Sequence, residues 1–130
     1  MCESTGTLRY SPQLLGNVQK WWLILDCDPS IGKYYRHLYW LGRHRVEKMT
    51  RPAWREHVTV IRNEEPPLQN LWHKHAGQRV QFCYNPVPRT NGAYWWLSVE
   101  CPELLVIREA IGLVKDPEIP LHLSFGHLKS

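Results

Sequence analysis

The chain has 130 residues, 43% of them hydrophobic, which is enough for one domain with a real core. Its 16 Lys and Arg against 12 Asp and Glu leave a net charge of +4, spread along the sequence without long blocks, which suits a small anionic ligand better than a long nucleic acid. No apolar run approaches the roughly 18 residues of a membrane span, Met1 to Tyr10 lacks the pattern of a secretory signal, and Cys2, Cys27, Cys83 and Cys101 form no Cys-x-x-Cys pair. A soluble, cytoplasmic protein with free thiols and no membrane partner is expected.

The N-terminal segment is left without an assigned element. Trp21 to Leu25 reads as a strand buried on both faces, and Asp28-Pro29 supplies an N-cap and first-turn proline for a helix running to Leu41, with Gly42 as its stop. Residues 43–55 are basic and irregular, and Pro52 discourages a helix there. The next strand is Glu56-His57-Val58-Thr59-Val60, in which His57 and Thr59 share one side and the valines the other. After a turn at Asn63 to Pro67, Leu68 to His75 reads as a short helix ended by Gly77, and Val80, Phe82 and Tyr84 alternate with Arg79, Gln81 and Cys83 as a strand.

A connection closing on Asn91-Gly92 leads to the strand Tyr94 to Glu100. Its alternation directs Trp95, Leu97 and Val99 to the core and Tyr94, Trp96 and Ser98 to the side of the histidines. Pro102 opens a helix that runs through Ile111 and ends near Gly112. The loop Lys115 to Pro120 then reaches Leu121-His122-Leu123-Ser124-Phe125, where the apolar residues face inward and His122 and Ser124 face outward together.

The same order of parts therefore occurs twice: an aromatic-rich strand, a proline-started helix, a loop, and a strand with a histidine two residues before a hydroxyl. Two similar units, about 21–60 and 94–126, are expected to meet along their histidine strands, with the helices outside and a groove between. Two imidazoles with ordinary pKa values near 6.5 can share acid and base duties at neutral pH, while the hydroxyls of Thr59 and Ser124 hold the non-bridging oxygens of a phosphate.

Neither hydroxyl reads as a nucleophile, because no Gly-x-Ser-x-Gly elbow accompanies it. The chain has no His-Glu-x-x-His or Cys-x-x-Cys spacing, and His73-Lys74-His75 on a helix would not face one another, so no metal and no cofactor is expected. His37, His44 and His127 read as surface or local hydrogen-bonding residues. A diesterase without a metal needs a nucleophile from elsewhere, and a neighbouring ribose 2′-hydroxyl is the closest one available, which favours ribonucleotide diesters.

His57-Val58-Thr59-Val60 and Pro120-Leu121-His122-Leu123-Ser124-Phe125-Gly126 resemble the paired signatures of the two-histidine phosphoesterase superfamily. Within it, Trp22-Leu23-Ile24-Leu25-Asp26-Cys27-Asp28 and Val60-Ile61-Arg62-Asn63-Glu64-Glu65-Pro66-Pro67 look most like the small bacteriophage members, a branch that includes the anti-CBASS nucleases acting on cyclic oligonucleotide alarm signals. The resemblance implies a bilobal, pseudo-twofold α+β fold, with two small antiparallel-rich sheets meeting at a central cleft. It also implies metal-independent phosphodiester chemistry by His57, Thr59, His122 and Ser124. Ser124 departs from the commoner threonine, and only six residues follow it, so a base-binding element that relatives place there is expected to be missing or supplied by another part.

Trp96 and Tyr94 are candidates for stacking on bases, Arg62 for clamping a second phosphate, and Tyr10 for a further base contact. The expected substrate is a cyclic di- or trinucleotide. An RNA-end, 2′,3′-cyclic phosphate or 2′-5′ linkage activity is the alternative, and a nucleotide-binding sponge without turnover is the non-enzymatic one.

Overall fold

A computed structural model describes residues 1–11, 21–52 and 56–128. Its elements are β1 (Cys2–Tyr10), β2 (Trp22–Cys27), α1 (Pro29–Gly42), β3 (His57–Arg62), β4 (Arg79–Tyr84), β5 (Arg89–Thr90), β6 (Tyr94–Glu100), α2 (Pro102–Ala110) and β7 (His122–His127). Residues 53–55 of the expected irregular stretch lie outside the described residues. None of the described helices is long and apolar enough to cross a membrane.

Local signals set the helix starts. Asp28 Oδ1 accepts a hydrogen bond from the Ser30 amide at 2.9 Å, which satisfies a free helix-end donor and holds the Asp28 carboxyl below its ordinary pKa. Gly112 ends α2 in the left-handed region, with φ 89°. Gly42 does not stop α1 in that way: it stays in the last turn, and the left-handed residues are His44 (φ 54°) and Arg45 (φ 63°). The expected helix at Leu68 to His75 shrinks to a 3₁₀ turn at Gln69–Leu71. A piece this short has little helical stability of its own. Trp72 is instead held edge-on by Tyr10 and Trp21, with ring centroids 4.8 and 5.1 Å away.

Among the described residues the fold is α+β with an antiparallel sheet and two α-helices, but the strands do not divide into two separate sheets. They run β4-β1-β2-β3-β7-β6-β5, and β4 also pairs with β6 at Cys83–Glu100 and Tyr84–Val99, which closes a barrel of six strands. Closure depends on β1, in which Cys2, Ser4, Gly6, Leu8 and Tyr10 alternate with the polar Glu3, Thr5, Thr7 and Arg9, and which bridges β2 to β4. It pairs edges that two open sheets would leave exposed. Gly6 permits the approach of β1, because a Cβ there would lie 2.6 Å from Leu25 Cγ. The short β5, absent from the sequence reading, joins the first half of β6 at Trp95 and Trp96.

One apolar cluster joins Leu25, Val58, Leu97 and Leu123 of the strands to Ile31 and Tyr35 of α1 and Leu104 and Ile107 of α2. The four cysteines are free thiols, and burial pushes that of Cys27 up to about 12. The strands form one barrel and not the two lobes expected: the runs β2-α1-β3 and β6-α2-β7 both belong to it, and their second strands, β3 and β7, are neighbours in the sheet.

Candidate active site

β3 and β7 pair antiparallel with Val58 opposite Leu123. Extended by one residue each way, that register sets His57 across from Ser124 and Thr59 across from His122. All four share the face opposite the buried Val58 and Leu123. The histidines then occupy one diagonal and the hydroxyls the other, with about 7–8 Å between diagonal partners in such a ladder.

The two halves are furnished alike. Trp22 on β2 meets His57 edge-on at 6.3 Å between centroids, and Trp96 on β6 meets His122 in the same manner at 6.5 Å. Across the sheet His57 faces Asp26, which accepts a bond from Arg9 at 3.2 Å, whereas His122 faces Ser98. His122 Nδ1 lies 2.9 Å from the Pro120 carbonyl, so in the neutral ring Nδ1–H donates and Nε2 keeps the lone pair.

Each helix braces the motif strand of the other unit. Arg36 of α1 donates to the Phe125 carbonyl, one residue past Ser124, and to Glu56, both at 2.8 Å. Arg108 of α2, 1% exposed, donates to the Val60 carbonyl, one residue past Thr59, at 2.8 Å, and forms a two-point pair with Glu64 at 2.7 and 2.8 Å. Gly32 leaves room for the first brace, since a Cβ there would collide with Glu56 and lie 2.7 Å from Arg36 Nη1. These contacts span 48 and 89 residues, and no local period in the sequence announces them.

Two cavities open on this face and share His122 and Ile119. The larger, about 620 Å³, is walled by Trp96, Tyr94, Ser98, His122 and Ser124, with Arg89 and Asn91 at its polar side. The smaller, about 390 Å³, is walled by Thr59, Arg62, Asn63, Glu64, Glu118 and His122. Trp96 and Tyr94 thus stand where a base can be stacked, and Arg62 where a second anionic group can be met. The Arg62 guanidinium also lies 5.3 Å from the centre of the Trp22 ring, which orients it and covers the indole. His57 sits on the same strand face but borders neither cavity.

Tyr10 is not brought to the site. Leu23, its partner on β2, belongs to the core face, so strand alternation turns Tyr10 away from the histidines and into contact with Trp72 and His73. Its neighbour Arg9 takes the side of His57 and Thr59 instead, across from Ile24. Arg9 and Asp26 form an ion pair beside His57 on this face that the sequence does not single out. Recognising β1 as a strand would have exposed the first, and separating the two faces of β2 the second. Comparison with protein-family models, with curated proteins and with solved structures returns no match.

Proposed function

We propose that this protein is a phosphodiesterase that cleaves ribonucleotide diesters by acid–base catalysis from His57 and His122. One observation carries the reading: the Val58–Leu123 register aligns two His-x-Thr/Ser strands from separate halves of the chain on one face. Such a pair of imidazoles and hydroxyls matches what in-line displacement at a phosphate requires. The ribose 2′-oxygen attacks phosphorus, one imidazole takes its proton, and the P–O5′ bond breaks as the other imidazole protonates the departing oxygen. The products are a 2′,3′-cyclic phosphate and a free 5′-hydroxyl. Thr59 and Ser124 donate to the non-bridging oxygens as charge builds on them. The lone pair left on Nε2 of His122 supports that residue as the base and leaves His57 the acid.

Two adjoining cavities, together able to take more than one nucleotide, support cyclic di- or trinucleotides as substrates. The resemblance to the small bacteriophage phosphoesterases supports a counter-defence role in a host cytoplasm, against the cyclic oligonucleotide signals of CBASS immunity.

The test is incubation in EDTA with cyclic dinucleotides, cyclic trinucleotides, 2′-5′ oligoadenylate and 2′,3′-cyclic mononucleotides, with products read by mass. Cleavage that survives EDTA, is lost on a 2′-deoxy analogue, and falls at least about 10²-fold in both His57→Ala and His122→Ala is expected. Ligand bound but recovered whole identifies a nucleotide sponge and refutes turnover, and cleavage abolished by EDTA refutes the metal-free route.

A further inference from the structure

Although no long run of consecutive like charges exists, and the charge reads as spread along the chain, its positive excess is concentrated in one segment. Between Lys33 and Arg51, six Lys and Arg side chains stand against the single carboxylate Glu47, a net of +5 in a chain whose total is +4. The fold gathers this charge around one indole. Lys48 Nζ and the Arg45 guanidinium lie 5.7 and 5.8 Å from the centre of the Trp40 ring, and the His37 ring lies 5.8 Å from it at a tilt of 44°. Lys33, His37, Trp40, Lys48 and Met49 line a cavity of about 290 Å³, closed on one side by Arg36. Lys33, Arg45 and Lys48 are all exposed.

This cavity is separate from the cleft. Tyr35 of α1 packs on Phe125 at 5.4 Å, so α1 covers the face of β7 opposite His122 and Ser124. The basic segment nevertheless leads toward the cleft. Met49 lies tight against Gly126, and Thr50 exchanges backbone hydrogen bonds of 2.8 and 2.9 Å with His127 at the end of β7. His127 in turn meets Tyr94, 5.7 Å between centroids, and Tyr94 forms the outer wall of the larger cavity.

We propose that this face binds single-stranded RNA, with phosphates held by Lys33, Arg45 and Lys48, a base seated in the Trp40 cavity, and the strand continuing past His127 and Tyr94 into the cleft. Binding at Trp40 stands on the charge and the cavity; delivery of a diester to His57 and His122 rests on the function proposed above. A cationic surface interleaved with aromatic faces is what sequence-tolerant binding of single strands uses. Tyr34, Leu38 and Leu41 form an exposed apolar stripe beside it, which makes an anionic bilayer the competing occupant. A concave site suits an inserted base better than a flat membrane.

The experiment follows the anisotropy of a fluorescein-labelled twelve-nucleotide single-stranded RNA titrated with the whole protein carrying His122→Ala, across a salt series. Three phosphate contacts give a log–log salt slope of about −2. Adding Lys33→Glu and Lys48→Glu weakens binding at least about tenfold, and Trp40→Leu weakens it at least about fivefold through lost stacking. Binding untouched by the charge reversal overturns the site. Equal retention on polyglutamate, or on vesicles rich in phosphatidylserine, with the same sensitivity to reversal, overturns RNA as the occupant. Charge-sensitive RNA binding by a His122-intact protein that cleaves no ribonucleotide keeps this face and removes only the proposed chemistry of the cleft.

Discussion

Arg108→Met tests the crossed bracing of the motif strands. The guanidinium is 1% exposed and makes four hydrogen bonds, to the carbonyls of Val60 and Val114 and to both oxygens of Glu64. Methionine keeps much of the stem's packing but leaves the Val60 carbonyl without this donor in a buried strand, a loss of about 1–3 kcal/mol. Val114 is 74% exposed and the Glu64 side chain 38%, so water replaces much of what those two groups lose. With the charge-assisted bonds to Glu64, the total comes to about 3–4 kcal/mol, near the low end for breaking a buried ion pair. At about 2.1 cal/mol/K of unfolding entropy per residue, that lowers the Tm by about 11–15 °C.

Differential scanning calorimetry and urea melts of Arg108→Met, Glu64→Gln and the double variant supply the measurement. Glu64→Gln should cost clearly less in the Arg108→Met background than in the wild type. A Tm loss under about 4 °C, or equal cost of Glu64→Gln in both backgrounds, refutes the brace. A pH arm follows from the Glu64 carboxyl, held below its ordinary value by the bonds from Arg108. Its contribution is present above the unfolded value of about 4.3 and is lost as pH falls through the folded value, so the stability gap between wild type and variant narrows below about pH 4.

Trp96→Ala removes the stacking wall of the larger cavity, and a loss of about 1–3 kcal/mol in substrate binding is expected, read as a rise in KM with kcat much less affected. An unchanged KM places the base elsewhere. Two glycines of α1 should respond with opposite sign to alanine. Gly32→Ala drives a Cβ into Glu56 and Arg36 and should lower the urea midpoint. Gly42→Ala meets nothing within 4 Å and should raise stability by about 0.5–1 kcal/mol through helix propensity.

The site was legible where its information is local. Alternation alone put His57 with Thr59, His122 with Ser124, and Tyr94, Trp96 and Ser98 on one side, because side chains in a strand change face at every residue. Asp28-Pro29 and Pro102 announced both helix starts for an equally local reason. Tyr10 failed because β1 was not seen as a strand. Cys2 to Tyr10 does alternate, with Glu3, Thr5, Thr7 and Arg9 on one face, but Leu8 and Tyr10 are the only large apolar groups on the other, so its period is weak in the sequence.

The sequence by itself thus determined which side chains share a face on β3, β6 and β7 and the doubling of the strand–helix–strand order. Only the tertiary structure decided that β3 lies beside β7, that β4 closes a barrel onto β6, and that Arg36 and Arg108 each hold the other unit's strand. The physical reason is range. Faces and caps are fixed by neighbours within a few residues, whereas pairing of strand edges and burial of a guanidinium are settled by groups tens of residues away, once the core has brought them together.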